Sequence, residues 1–600
     1  MSLPPLNAEQ RRAAETVRGP VCILAGAGSG KTTTITARIA RQVETDAFEP
    51  GEILAVTFTD KAAGEMRARL EALGVRGVRA RTFHAAALAQ LSHFGDGAPA
   101  ILASKALILQ PLRRALPKPY CFRPLRELAT EIERAKNARL TPDTYLEALD
   151  GHEPPLPADL ALRVFRHYEE RKREQGRIDF EDVLELTIRL FDERPDALAE
   201  FRARYRAFTV DEYQDVNLLQ QTLLERWLGE RDDLCVVGDD YQSIYSFTGA
   251  TPSYLLAMPR RFPHAAVIRL EENHRSTPEV LAFANRLVPR LGGAEKRLRA
   301  VREAGPEPEL ASFPDRAAEV AAIVARVREP YEQAAVLVRI NARSEEFEEA
   351  FLAAGIPFQV RGGAFLRRPA ARRTLAVLRR ADGPAAVLVR AAALDQGWVE
   401  VVPDGVGEEE ATRQADLARL VRLAEEFGGG AADFVDDLEA RFGAESEGRG
   451  VNILSYHRAK GLEWDAVFLP RLEDGELPYR GSDLAEERRL LYVGITRARR
   501  QLHLSWVQKP SRFLAELGVE MPTEPAARPE GPVFAALREW RLRRAKADGV
   551  PAYVVFHDRT LAEIADRGPQ TLDELARIAG VGPTKLDRYG REVLATLGSE

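Results

Sequence analysis

The 600-residue chain has only three cysteines, Cys22, Cys121 and Cys235, and no two share a paired spacing. That argues against a disulfide framework and a thiolate metal cluster, and favours a reducing, cytoplasmic setting. No apolar run approaches the length of a membrane span; the longest are strand-length. The opening Met-Ser-Leu-Pro-Pro-Leu-Asn7 has no basic region followed by an apolar core, so no secretory leader is expected. Basic charge is not in excess: 85 Lys and Arg stand against 91 Asp and Glu, a net charge of −6. That balance does not advertise a nucleic-acid binder, but it excludes none, because a binding groove needs only local charge. No short-period repeat is present. With 45% hydrophobic and 29% charged residues, the composition is that of ordinary globular protein. The length is too great for one core and implies about three to five domains.

What the chain does have is a glycine-rich loop near its start. Ala25, Gly26, Ala27, Gly28, Ser29, Gly30, Lys31 and Thr32 follow the apolar run Val21–Leu24 and lead into a helical pattern through Thr33. Strand, glycine loop and helix form a phosphate cradle, in which backbone N–H groups and the helix N-terminus face an anion. Lys31 is placed to reach β- and γ-phosphates, and the Thr32 hydroxyl to ligate Mg²⁺. Ala25 stands where the strict pattern has its first glycine. The loop predicts use of a nucleoside triphosphate, with ATP and Mg²⁺ as the expected cofactors, but not the work done with it.

Apolar segments bounded by turn residues predict strands at Ile53–Phe58, Ala207–Val210, Leu234–Val237 and Ala266–Leu270. A second set is Ala334–Val338, Asn452–Ser455, Ala466–Pro470 and Gln501–Trp506. Alternating with helical patterns, both sets predict parallel α/β sheets. Residues 88–205 read as helical throughout. Residues 376–448 are rich in Ala, Arg and Glu, with the glycine cluster Gly428–Gly430. Gly518–Gly531 reads as a Pro- and Glu-rich linker, and residues 532–600 as a helical tail.

The strand Ala207–Val210 runs into the acid pair Asp211-Glu212, continued by Tyr213-Gln214-Asp215. An Asp at this place can hold Mg²⁺ through its water shell, and a neighbouring Glu can activate the attacking water. The other reading is a surface acid pair, which the apolar strand before it disfavours. The next strand ends in Gly238-Asp239-Asp240-Tyr241-Gln242-Ser243-Ile244-Tyr245, where Gln242 can meet both a γ-phosphate and a bound polymer. Arg275 and Arg497 lie beyond the first sheet. Supplied from a second domain, each can stabilise charge developing on a transferring phosphoryl group; taken singly, each reads more readily as a surface ion-pair partner.

In order along the chain, these pieces resemble the superfamily 1A DNA helicases of the UvrD, Rep and PcrA type. Leu6-Asn7-Ala-Glu-Gln10 is similar to the family's adenine-reading glutamine motif. Thr57-Phe58-Thr59 with Lys61-Ala62-Ala63, and Thr82-Phe83-His84, are similar to its first DNA-contact motifs. Asp179-Phe180-Glu-Asp182, Asp211–Asp215, Gly238–Ala250 and Leu270–Ser276 follow, then Arg339-Ile-Asn341, His457–Glu463 and Tyr492–Ala498. The resemblance covers residues 6–515. The tail resembles an HRDC domain at Pro551–Phe556, Thr571-Leu572 and Gly580-Val-Gly582. The four-cysteine module of some HRDC-bearing relatives is absent.

The resemblance implies two RecA-like domains, each with a helical insertion. Domain 1A would comprise 1–87 and 206–268, insertion 1B 88–205, domain 2A 269–375 and 449–515, and a short insertion 2B 376–448. A linker, 516–531, and an all-α HRDC-like domain, 532–600, would follow. It implies a DNA-stimulated ATPase and 3′–5′ helicase that works as an inchworm on single-stranded DNA and at single-strand/duplex junctions, with repair or replication proteins as partners. Lys31, Asp211, Glu212, Gln242, Arg275 and Arg497 would be catalytic. Gln10, His274 and Glu463 would join the loop residues around the nucleotide, and Thr57, Phe58, Thr82, His84, Tyr245, Phe247 and His457 would meet DNA. Aromatic residues grip single strands by stacking without reading sequence; Phe58, Tyr245 and Phe247 each follow an apolar strand and read alternatively as core.

Several positions depart from the family pattern. His274 replaces a frequent adenine-stacking Tyr. Phe247-Thr248 stands for Trp-Arg, keeping the aromatic and losing a cation, which Arg458 can restore nearby. Asp60 replaces an Asn. Three other readings remain: a translocase that strips proteins but separates duplexes poorly, which the short second insertion favours; an ATP-binding switch, which the intact Lys31, Asp211 and Glu212 disfavour; and a nuclease fusion, for which the tail has no acid–Lys constellation.

Overall fold

In a computed structural model of the chain, the structure describes residues 4–95, 100–361, 365–402, 406–442, 450–507, 509–519, 532–548, 555–556, 558–578, 581 and 583–598. Most of the expected linker, Pro551–Val554 and the glycines Gly580 and Gly582 lie outside the described residues.

Six parallel strands form the first sheet: β1 Val21–Ala25, β2 Ile53–Thr57, β3 Arg79–Thr82, β4 Ala207–Val210, β5 Leu234–Gly238 and β6 Ala266–Leu270. Their order is β3-β2-β4-β5-β1-β6. A short parallel ribbon, β7 Glu272–Asn273 and β8 Arg299–Ala300, leads away from it. The second sheet is also parallel: β9 Glu309–Phe313, β10 Ala334–Val338, β11 Phe358–Arg361, β12 Val451–Ser455, β13 Trp464–Leu469 and β14 Ala498–Val507, in the order β11-β12-β10-β13-β14-β9.

Central strands such as Val-Cys-Ile-Leu-Ala and Leu-Cys-Val-Val-Gly are buried at every residue, because helices cover both faces of the sheet. One face packs Cys22, Leu24, Leu54, Val56 and Phe208 against Phe83, Trp227 and Phe201. The other packs Val21, Ile23, Ile53 and Ala55 against Ile35, Ile39 and Met66. Sequence patterning missed the short β7–β8 ribbon and three edge strands, β3 (Arg-Ala-Arg-Thr), β9 and β11; at an edge one side has no partner and polar residues are tolerated.

The insertions are bounded differently from the expected 88–205 and 376–448. Helices Phe83–Phe94, Phe180–Glu193 and Pro195–Arg204 carry Phe83, Leu91, Val183, Ile188, Phe191 and Phe201 into the first sheet's own core. The separate core of the first insertion runs only from Leu102 to Tyr168. The second begins earlier than expected, at Phe365, and ends with the helix Ala431–Phe442. The two insertions touch: Arg126 pairs with Glu409, and the Glu127 carboxylate accepts the Glu410 amide at 3.2 Å.

Residues 520–600 form a second compact unit. Its helices Pro532–Asp548, Asp558–Arg567, Leu572–Ala576 and Pro583–Leu597 enclose Leu537, Trp540, Phe556, Ile564, Leu575, Tyr589 and Val593.

Candidate ATP and nucleic-acid site

The loop after β1 is built for close approach. Gly28 and Gly30 have φ of +67° and +78°. A Cβ on Gly28 would stand 2.6 Å from Asn273 Nδ2, and one on Gly30 would stand 2.8 Å from Gln10 Nε2, so only glycine fits. The backbone amides of Gly28, Gly30, Lys31, Thr32 and Thr33 find no protein acceptor among the described residues. A half-buried row of free donors at the start of the helix Lys31–Glu44 suits the phosphates of ATP. Thr32 is half-buried in the first turn of this helix, and the Thr33 hydroxyl accepts from Arg69 at 3.4 Å.

The rim of the loop comes from two distant parts of the chain. Asn7 and Gln10 form a capping box on the first helix, and Gln10 Nε2 donates to the Ser29 carbonyl at 2.9 Å. The expected adenine-reading glutamine thus ties the N-terminal helix to the loop. Opposite, Asn273 Nδ2 donates to the Ala27 carbonyl at 2.6 Å, and the His274 amide to the Gly28 carbonyl at 2.9 Å. The His274 ring is exposed beside the loop.

The acid pair lies at the carboxyl end of β4. Lys31 Nζ is 2.9 Å from Glu212 Oε1, and Glu212 Oε2 accepts from Gln214 Nε2 at 2.6 Å. Glu212 has φ +51°, a left-handed backbone that a non-glycine residue adopts at a cost of roughly 1–3 kcal/mol. Burial alone would raise its pKa; the Lys31 and Lys460 charges and the Gln214 hydrogen bond outweigh that and hold the carboxylate below its usual range. Asp211 moves the other way, pushed up by burial and by the Glu212 charge, and is the carboxylate with most to gain from a divalent cation.

Gln242 lies between the two domains. Its amide donates to Asp239 Oδ2 at 2.6 Å, and its oxygen accepts from Arg497 Nη2 at 3.2 Å. Arg497 is 1% exposed and donates to the Val493 and Leu462 carbonyls at 3.0 and 3.1 Å. Burial, then the neighbouring Arg275 charge, disfavours its cation, so an anion in the cleft is the partner it lacks. Arg275 pairs with Glu463 and donates to the Thr496 carbonyl at 3.2 Å. Glu463 also pairs with Arg499 at 2.6 Å. Glu463 thus holds two arginines, Arg275 and Arg499, beside the cleft.

Next to Gln242 is an aromatic cluster. The rings of Tyr245, Phe247 and His457 lie 5.9–6.3 Å apart, and Phe247 is 45% exposed. Its loop is held from the other domain, where Glu486 accepts the Ser246 amide at 3.1 Å. Exposed Arg458 follows His457. Burial pushes the His457 pKa down to about 3, helped by Arg339, Lys460 and Arg126, so the ring is neutral. His84 meets the exposed Phe180 edge-on at 5.8 Å, and burial lowers its pKa to about 4. Phe58 packs edge-on against core Phe83 at 6.3 Å and is only partly exposed. Thr57 is buried and donates to the Thr59 carbonyl at 3.1 Å. Thr59 and Thr82 cap the helices that follow them, and exposed Asp60 opens the first of these, where an acid suits the helix dipole.

Two functional residues had no role assigned from sequence. Lys460 Nζ ion-pairs with Asp215, donates to the Gln242 carbonyl at 2.7 Å and lies 5.0 Å over the Tyr245 ring. It links the acid loop, Gln242 and the aromatic cluster. Lys296, 2% exposed, pairs with Asp239 at 3.0 Å and with Asp240, fixing the loop that carries Gln242. It lies in an irregular segment with no pattern to flag it. In the tail, the first helix carries Arg538, Arg541, Arg543, Arg544 and Lys546, a cluster that in sequence reads as able to meet phosphates. Arg541 is buried one helical turn from Leu537 and from Ala545, donating to the Phe556 carbonyl at 2.8 Å. Arg544 pairs with Glu592 at 3.2 Å, Arg538 and Arg543 are exposed, and the Lys546 side chain lies outside the described residues.

Comparison with known proteins agrees with this geometry. Residues 6–263 match the UvrD/REP helicase N-terminal domain. Residues 268–386 and 408–509 match the UvrD-like helicase C-terminal domain, and residues 530–597 the HRDC domain. The ATP-dependent DNA helicase UvrD2 of Mycobacterium tuberculosis is 40% identical over 98% of this chain and 97% of its own length. UvrD1 of the same organism is 31% identical over 86% of this chain and 85% of its own. With a P-loop, an acid pair and two cleft arginines in one constellation, the chain belongs to the UvrD/REP helicase family and carries an HRDC domain near its C-terminus.

Proposed function

We propose that the protein is an ATP-dependent DNA helicase that tracks 3′ to 5′ on single-stranded DNA, binds single-strand/duplex junctions and acts in DNA repair or replication-associated processing in the cytoplasm. The observation that carries this reading is the continuous set of contacts from Lys31 and Glu212, through Gln214, Gln242 and Lys460, to Tyr245 and Phe247. Gln214 is its hinge: Nε2 meets Glu212, while Oε1 accepts the Asp239 amide at 2.8 Å.

In this reading the free amides of the loop and Lys31 bind the phosphates of ATP. Thr32 and Asp211 would hold Mg²⁺, partly through water, and the bound ion would supply positive charge to the phosphates. Glu212 takes the proton of the attacking water. Arg275 and Arg497 reach across the cleft to the γ-phosphoryl group. Drawing Arg497 and Gln242 toward that group closes the two domains, and Lys460 passes the movement to the base grip at Tyr245 and Phe247.

A second reading, a protein-displacing translocase with weak unwinding, is favoured by the small second insertion, whose core ends at Phe442. The deciding experiment measures strand separation on duplexes with 3′ or 5′ single-stranded tails, beside ATPase activity with and without single-stranded DNA. Unwinding of the 3′-tailed substrate with DNA-stimulated turnover supports the helicase; stimulation without unwinding supports the translocase.

A further inference from the structure

A cavity of about 260 Å³ opens at the edge of the first sheet, among β3, the helix Phe83–Phe94 and the helix Pro195–Arg204. Its apolar wall is Leu54, Ala86, Phe94, Phe201 and Tyr205. Around it stand Arg79, Arg81 and Arg204, and none of the three has a carboxylate partner among the described residues. Arg79 and Arg81 are two apart on one strand and so share a face, while Ala80 between them turns into the opposite core. Arg81 reaches only the Ala85 carbonyl at 3.5 Å, and Arg204 lies 5.4 Å over the Tyr205 ring. The one acid lining the cavity, Glu200, already meets His93 at 3.2 Å, and nearby Glu52 meets Arg206 at 3.1 Å.

The cavity opens toward the amino ends of β2 and β3, with Arg81, the residue before Thr82, on the side nearest the expected DNA residues. Gly26–Lys31, Asp211, Thr57, Thr82 and Gln242 all lie at or beyond the carboxyl ends of strands, as ligand sites of parallel sheets do. Leu54 and its register partner Arg79 stand toward the amino ends of β2 and β3, and Tyr205 precedes β4. The volume is below that of ordinary small-molecule sites, roughly 300–1,000 Å³, and suits an inserted side chain. The strand beside it, β3, is an edge with no outer partner.

We propose that this cavity is a docking site for an acidic partner peptide, one that inserts an aromatic or aliphatic side chain against Phe94, Phe201 and Tyr205 and sets carboxylates on Arg79, Arg81 and Arg204. An apolar anchor fixes position, and the surrounding arginines supply charge selectivity and a salt-dependent on-rate. The partner is a protein segment and not the tracked DNA strand, which belongs to the other end of the sheet.

The test uses the full chain and a displayed library of random twelve-residue peptides, selected on the wild type and counter-selected on Arg79→Glu/Arg204→Glu. The expected consensus is one large apolar residue flanked by Asp or Glu. A synthetic peptide of that sequence should lose at least about tenfold in affinity against the double variant and again when its apolar residue is Ser. DNA-stimulated ATPase activity should stay at the wild-type level in the variant. Arg79→Gln/Arg204→Gln carries the same test if charge reversal disturbs folding. Selection of no sequence, a consensus without acidic residues, or equal binding to wild type and variants overturns the proposal. So does a fall in duplex DNA affinity in the variants with peptide binding unchanged, which assigns the arginines to nucleic acid.

Discussion

Lys31 Nζ and Glu212 Oε1 form an ion pair at 2.9 Å across the catalytic site. In the proposed mechanism, the phosphate-binding cation and the water-activating carboxylate thus neutralise each other before nucleotide arrives. Each shifts the other toward its charged form: Glu212 below the usual carboxylate range, and Lys31 above its usual value despite burial. ATP phosphates compete for Lys31, and the carboxylate they release becomes more basic when the water to be activated is in place.

Glu212→Gln should therefore keep ATP affinity close to that of the wild type and slow turnover by roughly 10²–10⁴-fold, the usual worth of a positioned base. Lys31→Ala should lose turnover and weaken nucleotide binding together. Filter binding of labelled ATP beside a steady-state phosphate-release assay separates the two, and near-normal hydrolysis in Glu212→Gln would falsify the assignment.

Arg275 and Arg497 should each be worth ~10³-fold or more in turnover when replaced by Ala, by analogy with other phosphoryl-transfer sites. Their environments differ. Arg275 has Glu463 as a partner, whereas Arg497 is fully buried among carbonyls and Gln242. Arg497→Ala should also lower the melting temperature, while Arg275→Ala should change chiefly kcat. Equal melting curves for the two variants would contradict that division.

The neutral histidines give the motor a pH signature. Burial holds His457 near 3 in the folded protein, against an unperturbed value of about 6.5. Below pH ~6.5 the unfolded chain takes up a proton that the folded chain refuses, so this contribution to stability is lost as pH falls from about 6.5 toward 3, at no more than about 1.4 kcal/mol per pH unit. Asp215, raised by burial to about 6, has the opposite slope between its unfolded value, about 3.9, and 6. The His457 contribution is thus read as a difference: His457→Asn should show a smaller fall in melting temperature from pH 6.5 to pH 5 than the wild type. Parallel curves would place the ring in solvent.

The nucleotide half of the site was legible because phosphate binding demands a fixed local string: Gly26–Thr32 after β1, and two acids after β4. The strands that carry these motifs announced themselves, since a strand covered on both faces must be apolar at every residue. Edge strand β3 did not, because Arg79 and Arg81 face open space. Nor did the insertion boundaries, because the helix Phe180–Glu193 has the same amphipathic pattern whichever core it joins. Lys460 was visible as part of a motif but not as a link, since its three contacts join residues more than 200 positions apart in sequence.

Phe247 is the exposed member of the aromatic cluster, so Phe247→Ala removes a stacking face with little loss of core packing. Single-strand affinity should fall by roughly 1–3 kcal/mol, and more ATP should be consumed per nucleotide moved. Tyr245→Phe should be mild, because among the described residues the hydroxyl meets only the His457 carbonyl, at 3.4 Å. Translocation by Phe247→Ala at the wild-type rate per ATP would remove the platform from the mechanism.

The tail has its own core and all matched ATP motifs lie upstream of it, so truncation after Gly518 should leave DNA-stimulated ATPase activity largely intact. Arg541 is buried in the tail unit and Arg544 pairs with Glu592, while Arg538 and Arg543 lie on the exposed side of the helix Pro532–Asp548. Two surface cations give a weak, salt-sensitive grip on phosphates. Truncation should therefore lower unwinding of forked substrates at low salt, with the deficit shrinking as salt rises. Arg538→Glu/Arg543→Glu in the full chain should reproduce part of that loss, whereas Arg541→Glu should unfold the tail, because it removes a buried donor from the Phe556 carbonyl. If the truncated protein loses basal ATPase activity, the tail is structural. If the double variant and the truncated protein both unwind forks as well as the full chain at low salt, the tail's role lies with a protein partner and not with DNA.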